Sequence, residues 1–269
     1  MLKLAAIGDC CVDTYPQLNK FFLGGTSYNL CLAAQKLGAE TSLISIIGTD
    51  EWGKKYLDSC HRYKINTDYL SIKNGKTSTV QIDLDQQNRP IFHDWQLGVL
   101  KPFTLTQKQL NFISTQDVVR CICLKPLIKV FKQFCHLKTK AFKVADFSGG
   151  TKYSPSLTII NQSVPYLDLI VTSQSYQNKK ILAHLQNLAR KFDKLVLVLL
   201  GSRGSRVFTK DKTYLQPAVT TKATDTTGAG DAYLATFIIK YLQTKNVQKA
   251  MFFATQAAAK KIARLGASS

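Results

Sequence analysis

Short blocks of consecutive apolar residues alternate along the chain with longer stretches whose apolar residues fall three and four apart. That is the rhythm of buried parallel strands separated by helices lying on the sheet. Leu2–Ile7 reads as the first buried strand. After Gly24-Gly25, Thr26 or Ser27 can cap a helix running to Gly38, with Leu30, Ala33, Ala34 and Leu37 at helical spacing. Gly38 stands where a helix commonly ends on a left-handed glycine. Thr41–Ile47 is the next strand, and Gly48-Thr49-Asp50-Glu51 opens a helix to about Tyr63. The strand pattern returns at Val118–Cys123, Ala141–Asp146, Leu167–Thr172 and Leu195–Leu200, with Lys179–Phe192 the clearest helix between them. Val207-Phe208 and Thr213–Gln216 predict a late antiparallel pair, and Gly228–Leu242 and Val247–Leu265 predict two closing helices.

One stretch breaks the rhythm. Thr77 to Leu84 alternates polar and apolar residues, Asp85-Gln86-Gln87-Asn88 supplies a turn, and Pro90-Ile91-Phe92 follows. This predicts an antiparallel hairpin open to water on one face, either a flap over a site or a surface ornament. No repeat, low-complexity segment or linker divides the chain, so residues 1–269 are expected to form a single α/β domain.

Composition changes this picture little. The 269 residues are 45% hydrophobic and 20% charged, ordinary for a globular chain. The net charge of +19 raises the question of nucleic acid, anionic membrane or an anionic small ligand. The lysines are scattered, however, and no basic arm, helix-turn-helix, zinc finger or RNA-recognition signature accompanies them, which argues against a nucleic-acid partner. The seven cysteines form no C-x-x-C pair and have no histidine in metal-ligand spacing. They are expected to be buried free thiols in a reducing compartment. The N-terminal apolar run is short and ends in Asp9, and no run reaches the roughly 20 residues of a membrane helix. A cytoplasmic protein is therefore expected.

The candidate chemistry lies at Asp225-Thr226-Thr227-Gly228-Ala229-Gly230-Asp231, directly before an apolar helical run. Small residues at a helix start leave successive N–H groups unpaired at the positive end of the helix dipole, a cradle for phosphate or oxyanion. Asp231 opposes anion binding unless it has another task, and accepting a proton from an attacking hydroxyl is one. A merely well-capped helix start, with Thr226 or Thr227 as cap, reads equally well from these residues alone. Neither a P-loop nor a dinucleotide fingerprint is present.

The same string resembles the C-terminal signature of the ribokinase, or PfkB, sugar-kinase family. Gly24-Gly25-Thr26-Ser27-Tyr28-Asn29, Leu37-Gly38-Ala39 and Ile47-Gly48-Thr49-Asp50-Glu51-Trp52-Gly53 resemble its N-terminal signature, and Leu200-Gly201-Ser202-Arg203-Gly204 its nucleotide-side loop. The order and separation match over essentially the whole chain. The opening Ile7 to Lys20, Asp94 with Gly98-Val99, Asp146-Phe147-Ser148 and Ala258 to Ile262 are similar to the fructoselysine 6-kinases, a branch of short members.

The resemblance implies a three-layer α/β/α fold with a mostly parallel central sheet, and a β-hairpin lid formed by about 10–24 and 68–98. It implies ATP and Mg²⁺ as cofactors and a sugar, such as a fructosamine phosphorylated at its 6-hydroxyl, as substrate. Asp231 would be the general base, with the N–H groups of Gly228, Ala229 and Gly230 as the anion hole. An ordinary carboxylate is a weak base, so the proton would move late. Asp13, Gly25 and Asn29 would hold the sugar, with Asp9 possible beside them and Arg89, Phe92 and Asp94 in or near the lid. Gly201, Gly204 and a small residue such as Ala254 would face the nucleotide, Asp225 would organise the metal or the loop, and Arg203 would lie near phosphates or in solvent. Lids in this family can pair between subunits, which makes a homodimer an expectation. One departure matters. The family's N-x-x-E reads here as Thr172-Ser173-Gln174-Ser175-Tyr176-Gln177, with Ser173 at the Asn place and no acid, so the metal ligands stay unassigned. The alternatives are a kinase for another furanose or a nucleoside, and a weakly catalytic binding protein on the same fold.

Overall fold

The computed structural model describes residues 1–267. The chain opens with β1 (Lys3–Ile7), β2 (Cys11–Tyr15), β3 (Lys20–Gly24), α1 (Thr26–Lys36), β4 (Glu40–Ile44), β5 (Ile46–Gly48) and α2 (Glu51–Arg62). It continues through β6 (Ser71–Lys73), β7 (Ser78–Leu84), β8 (Pro90–Gln96), α3 (Gln107–Ile113), β9 (Val118–Ile122), α4 (Ile128–His136), β10 (Phe142–Asp146), α5 (Leu157–Ser163) and β11 (Leu169–Ser173). It closes with α6 (Lys179–Phe192), β12 (Leu195–Leu199), β13 (Ser205–Phe208), β14 (Thr213–Gln216), α7 (Ala229–Thr244) and α8 (Val247–Ile262).

The main sheet has eight strands in the order β14-β13-β12-β11-β10-β9-β1-β4. β4, β1, β9, β10, β11 and β12 are parallel, and β13 and β14 run antiparallel at one edge. Its strands are apolar throughout because helices cover both faces. On one face Ala5, Ile7, Val119, Cys121, Ile170 and Val196 meet Ile113, Phe131, Phe134, Leu182 and Leu185 of α3, α4 and α6. On the other, Leu4, Ala6, Val118, Val144, Leu169 and Leu197 meet Leu30 of α1, Tyr56 of α2, Phe237 and Ile238 of α7, and Ala250 of α8. Each of the larger of these, the valines, leucines, isoleucines and phenylalanines, contributes about 1.5–3 kcal/mol. All seven cysteines are buried and unpaired. No described helix is long and apolar enough to cross a membrane.

The chain builds outward from β1 to β4 and then returns to lay β9, β10, β11 and β12 on the other side of β1. The switch point is therefore the β1/β9 seam, where open α/β sheets present ligand crevices at the carboxyl ends of their strands. Over that seam sits a second sheet of order β3-β2-β7-β8, in which β2 runs parallel to β7 and antiparallel to β3. The segments 10–24 and 68–98 supply it, with one exception: β6 pairs with β5 instead. The single strand read over Thr41–Ile47 is thus two, broken at Ser45.

Two local features shape the site. Four of the eight described α-helices begin on a side-chain cap: Asp50, Thr106, Asn178 and Asn246 each accept a bond from a first-turn N–H. α7 does not, because its N-cap is Gly228, left-handed at φ 77°. In β8 one extra residue is accommodated between the pairs Gln81–His93 and Thr79–Gln96, with Asp94 at φ 26°. That bulge turns Phe92 and Trp95, three residues apart, to the same side.

Candidate active site

Beneath the second sheet, at the carboxyl ends of β1 and β10 and the start of α7, lies a cavity of about 150 Å³. Its floor is Asp9, Gly25, Thr26, Asn29, Gly228 and Asp231, and its roof is Asp13 with Val80, Phe92 and Trp95. Leu124, Ser148, Thr151 and Tyr153 close the side, and Trp95 and Tyr153 meet edge to face at 5.0 Å. Gly25 is required where it stands: its φ is 88° and a Cβ would strike the Asp9 carbonyl and the Cys11 N–H.

Asp231 lies in the first turn of α7 and is 8% exposed. Asn29 donates to its Oδ2 at 3.2 Å, and the Arg120 guanidinium stands 3.8 Å from its Oδ1. Burial pushes the Asp231 carboxyl up to about 8; Arg120 opposes the rise, while Asp146 and Asp9 add to it. The carboxylate is therefore not the ordinary weak base that sequence reading assumed. Asp13 is raised as well, by burial and by the neighbouring Asp9, Asp225 and Asp231. Among the described residues, Asp13 Oδ2 and Asn29 Oδ1 are buried acceptors with no hydrogen-bond partner. Such orphans are costly unless a ligand supplies donors.

Asp225 is fully buried, and its bonds tie the loop together and fasten it to Tyr15 of β2 and to Gly266. Its Oδ1 accepts from Thr227 N–H at 2.8 Å and the Thr227 hydroxyl at 2.6 Å, and its Oδ2 from Tyr15 O–H at 2.8 Å and Gly266 N–H at 2.9 Å. Lys261, half-buried near Asp225, donates to the Gly266 carbonyl at 2.6 Å. Asp225 thus fixes the approach to α7. Ala229 and Gly230 form the first turn, with no side-chain cap bonded to their end of the helix.

Asp9, Asp13, Gly25, Asn29, Gly228 and Asp231, named from sequence, are brought together in one cavity. Arg89 and Asp94 are not part of it. Arg89 is held at the hairpin tip by Asp85 at 2.7 Å, and the β8 bulge turns Asp94 to solvent. Gly201, Gly204 and Ser173 stand outside it at the ends of β12 and β11, where Gly201 has open space beside its Cα. There Arg203 and Arg206 lie over the Tyr176 ring at 5.7 and 5.0 Å. Ala254 is fully buried within α8. Sequence reasoning missed Tyr15, Trp95 and Arg120. The signal for Arg120 was a lone arginine in the apolar run Val118-Val119-Arg120-Cys121-Ile122, where burial on both faces demands a partner. Among the described residues no three acidic, histidine or cysteine side chains cluster to hold a metal.

A family model, pfkB family carbohydrate kinase, matches residues 1–269. Fructoselysine 6-kinase of Escherichia coli is 28% identical over 267 residues, covering 99% of this chain and 100% of the relative. A fructosamine kinase of Bacillus subtilis is 28% identical over 270 residues, covering 99% and 93%. Among solved structures, ribokinase of Arabidopsis thaliana, complexed with ribose and ATP, superposes with a TM-score of 0.80 at 21% identity over 100% of this chain and 95% of that one. Ribokinase of Thermotoga maritima gives 0.79 at 20% identity, over 100% and 95%. The three-layer fold is thus ribokinase-like, and the chain belongs to the pfkB family of carbohydrate kinases.

Proposed function

We propose that the chain is an ATP-dependent sugar kinase that phosphorylates the 6-hydroxyl of a fructosamine such as fructoselysine, with Asp231 as general base. The observation that carries this reading is Asp231 at the uncapped start of α7, in one cavity with the orphan acceptors Asp13 Oδ2 and Asn29 Oδ1. Sugar hydroxyls are the donors those acceptors lack. Asp231, raised to about 8, is a base matched to neutral or mildly alkaline solution. The substrate O–H proton passes to Asp231 as the sugar oxygen bonds to the γ-phosphorus and the bond to ADP breaks. The N–H groups from Gly228 to Gly230 would hold the transferring phosphoryl. The acidic floor and the aromatic wall of Phe92, Trp95 and Tyr153 suit a sugar carrying a protonated amine. The fructosamine kinases that match nearly full length support the same substrate class.

The open backbone at Gly201 and the uncapped α7 fit a polyphosphate. With no acidic cluster among the described residues to hold a metal alone, Mg²⁺ would sit mainly on nucleotide phosphates and water, as it commonly does, where it would spread the charge of the transferring group. The second sheet would serve as the lid. Leu18, Phe21 and Ile91, exposed on it, would supply a pairing surface for a second copy.

A coupled ADP-release assay with Mg-ATP over fructoselysine, fructose, ribose and adenosine tests the reading. The fructosamine is expected to give the highest kcat/KM, and Asp231→Asn to lower kcat at least about 10³-fold. Equal activity of Asp231→Asn, or no turnover of any sugar, overturns it.

A further inference from the structure

Arg120 is the largest fully buried side chain in the molecule. It sits mid-strand in β9, registered with Ala6 of β1 and Val144 of β10 at the switch-point seam. Its two terminal nitrogens serve different walls. One donates to Asp146 Oδ2 at 2.6 Å and stands 3.8 Å from Asp231 Oδ1. The other donates to the hydroxyls of Thr26 at 3.0 Å and Ser27 at 3.3 Å. Thr26 in turn donates to Asp9 Oδ1 through both its N–H, at 3.1 Å, and its hydroxyl, at 2.7 Å. The Nε has no partner among the described residues.

Stability alone does not account for this arrangement. Buried ion pairs replaced by apolar groups of similar volume commonly leave a protein as stable or more so, and an unpartnered Nε adds to the cost. The surrounding face of the sheet is otherwise apolar core. One guanidinium placed between two carboxylates lets each weaken the hold of the other on it, so the charge of one bears on the orientation of the other.

We propose that Arg120 is a positioning residue for phosphoryl transfer: it holds the Asp231 carboxylate ready for the sugar hydroxyl, and Asp146 competes for the same guanidinium. The proposal rests on the reading of Asp231 as base. The groups facing Asp231 are Arg120 from β9, Asp146 from the end of β10, Asp9 after β1, Asn29 from α1, and Asp13 from β2 across the cavity. Arg120 is the cation among them and lowers the proton affinity of Asp231, while Asp146 and Asp9 raise it.

The two partners therefore act in opposite directions on the rising limb of the pH profile, which a purely structural role does not. Profiles of kcat/KM for the fructosamine with Mg-ATP, from about pH 5 to about pH 10, are compared for the full-length wild type and variants. Asp146→Asn removes the competitor and is expected to move the limb roughly one unit toward acid. Arg120→Met is expected to move it at least as far toward alkali and to lower kcat about 100-fold, with the KM for ATP unchanged. Arg120→Lys is expected to recover part of that kcat. If Arg120→Met does not fold, Asp146→Asn decides alone. An active Asp146→Asn enzyme whose limb stays fixed, or moves toward alkali, overturns the proposal. Asp231→Asn separates the two readings. If it is inactive while the Asp146→Asn limb is fixed, only the role of Arg120 fails; if it is active, the base assignment fails.

Discussion

A carboxylate with ordinary proton affinity is nearly all anion at neutral pH and a poor acceptor. Asp231 differs because the fold removes it from water and returns only a shared guanidinium and one amide donor, that of Asn29. Two consequences follow at this one residue. Activity should rise with pH through about 8, as the base loses its proton. Stability should run the other way: the native state holds a proton between the unfolded value and about 8 that the unfolded state has released, so stability falls as pH rises through that window. Asp231→Asn should therefore melt higher than wild type at pH 8, by about 2–4 °C for each kcal/mol; thermal unfolding at pH 5 and 8 shows whether the gain is confined to the alkaline side. Asp13 carries a separable role. Asp13→Ala is expected to raise the KM for sugar about 10- to 100-fold, leaving that for ATP unchanged, because it removes a charged acceptor. Both aspartates were legible in the sequence as parts of motifs. Their altered proton affinities were not, since these come first from burial and then from neighbouring carboxylates, Asp146 and Asp9 for Asp231 and Asp9, Asp225 and Asp231 for Asp13, which only the folded chain brings near.

The elements show where sequence pattern suffices and where it stops. Apolar blocks such as Leu195–Leu200 and the helical stretch Lys179–Phe192 locate β12 and α6 within a residue or two, because burial on fixed faces dictates both patterns. β2 and β3 were harder to read. Cys11–Tyr15 holds an aspartate and a threonine and lies on a small separate sheet, where Asp13 faces the cavity and the Thr14 hydroxyl bonds the Val80 carbonyl of the next strand. The bulge in β8 was invisible as well. A regular strand would have put Phe92 and Asp94 on one face, and the extra residue selects Trp95 instead. The start of α7 was legible because its glycine has a geometric duty: Gly228 is left-handed and abuts Ala267. Gly228→Ala forces a strained backbone there. It should lower kcat about 100-fold or more by misaiming the cradle, while circular dichroism remains that of a folded protein.

At the scale of the molecule, part of the net charge of +19 gathers where Lys36, Lys260, Lys261 and Arg264 line a pocket that shares Asn29 and Gly228 with the cavity, but composition alone did not single out the function. Order of motifs along the chain pointed toward it, because the fold brings the first and last signatures to one seam. If the second sheet pairs between copies, wild type should sediment as a dimer, and Phe21→Asp should shift it to monomer by placing a charge on an exposed apolar position. The same sheet carries Asp13 and Tyr15 on one strand, two residues apart, so both point the same way. Asp13 lines the cavity; Tyr15 bonds Asp225 and Thr227 just before the start of α7. The strand is thus clasped to the loop that precedes α7. That clasp bears on fidelity as well as speed, for a loosely held roof admits water as a rival nucleophile. Tyr15→Phe should waste ATP, raising the ratio of sugar-independent hydrolysis to phosphoryl transfer several-fold, measured as ADP formed with and without the fructosamine.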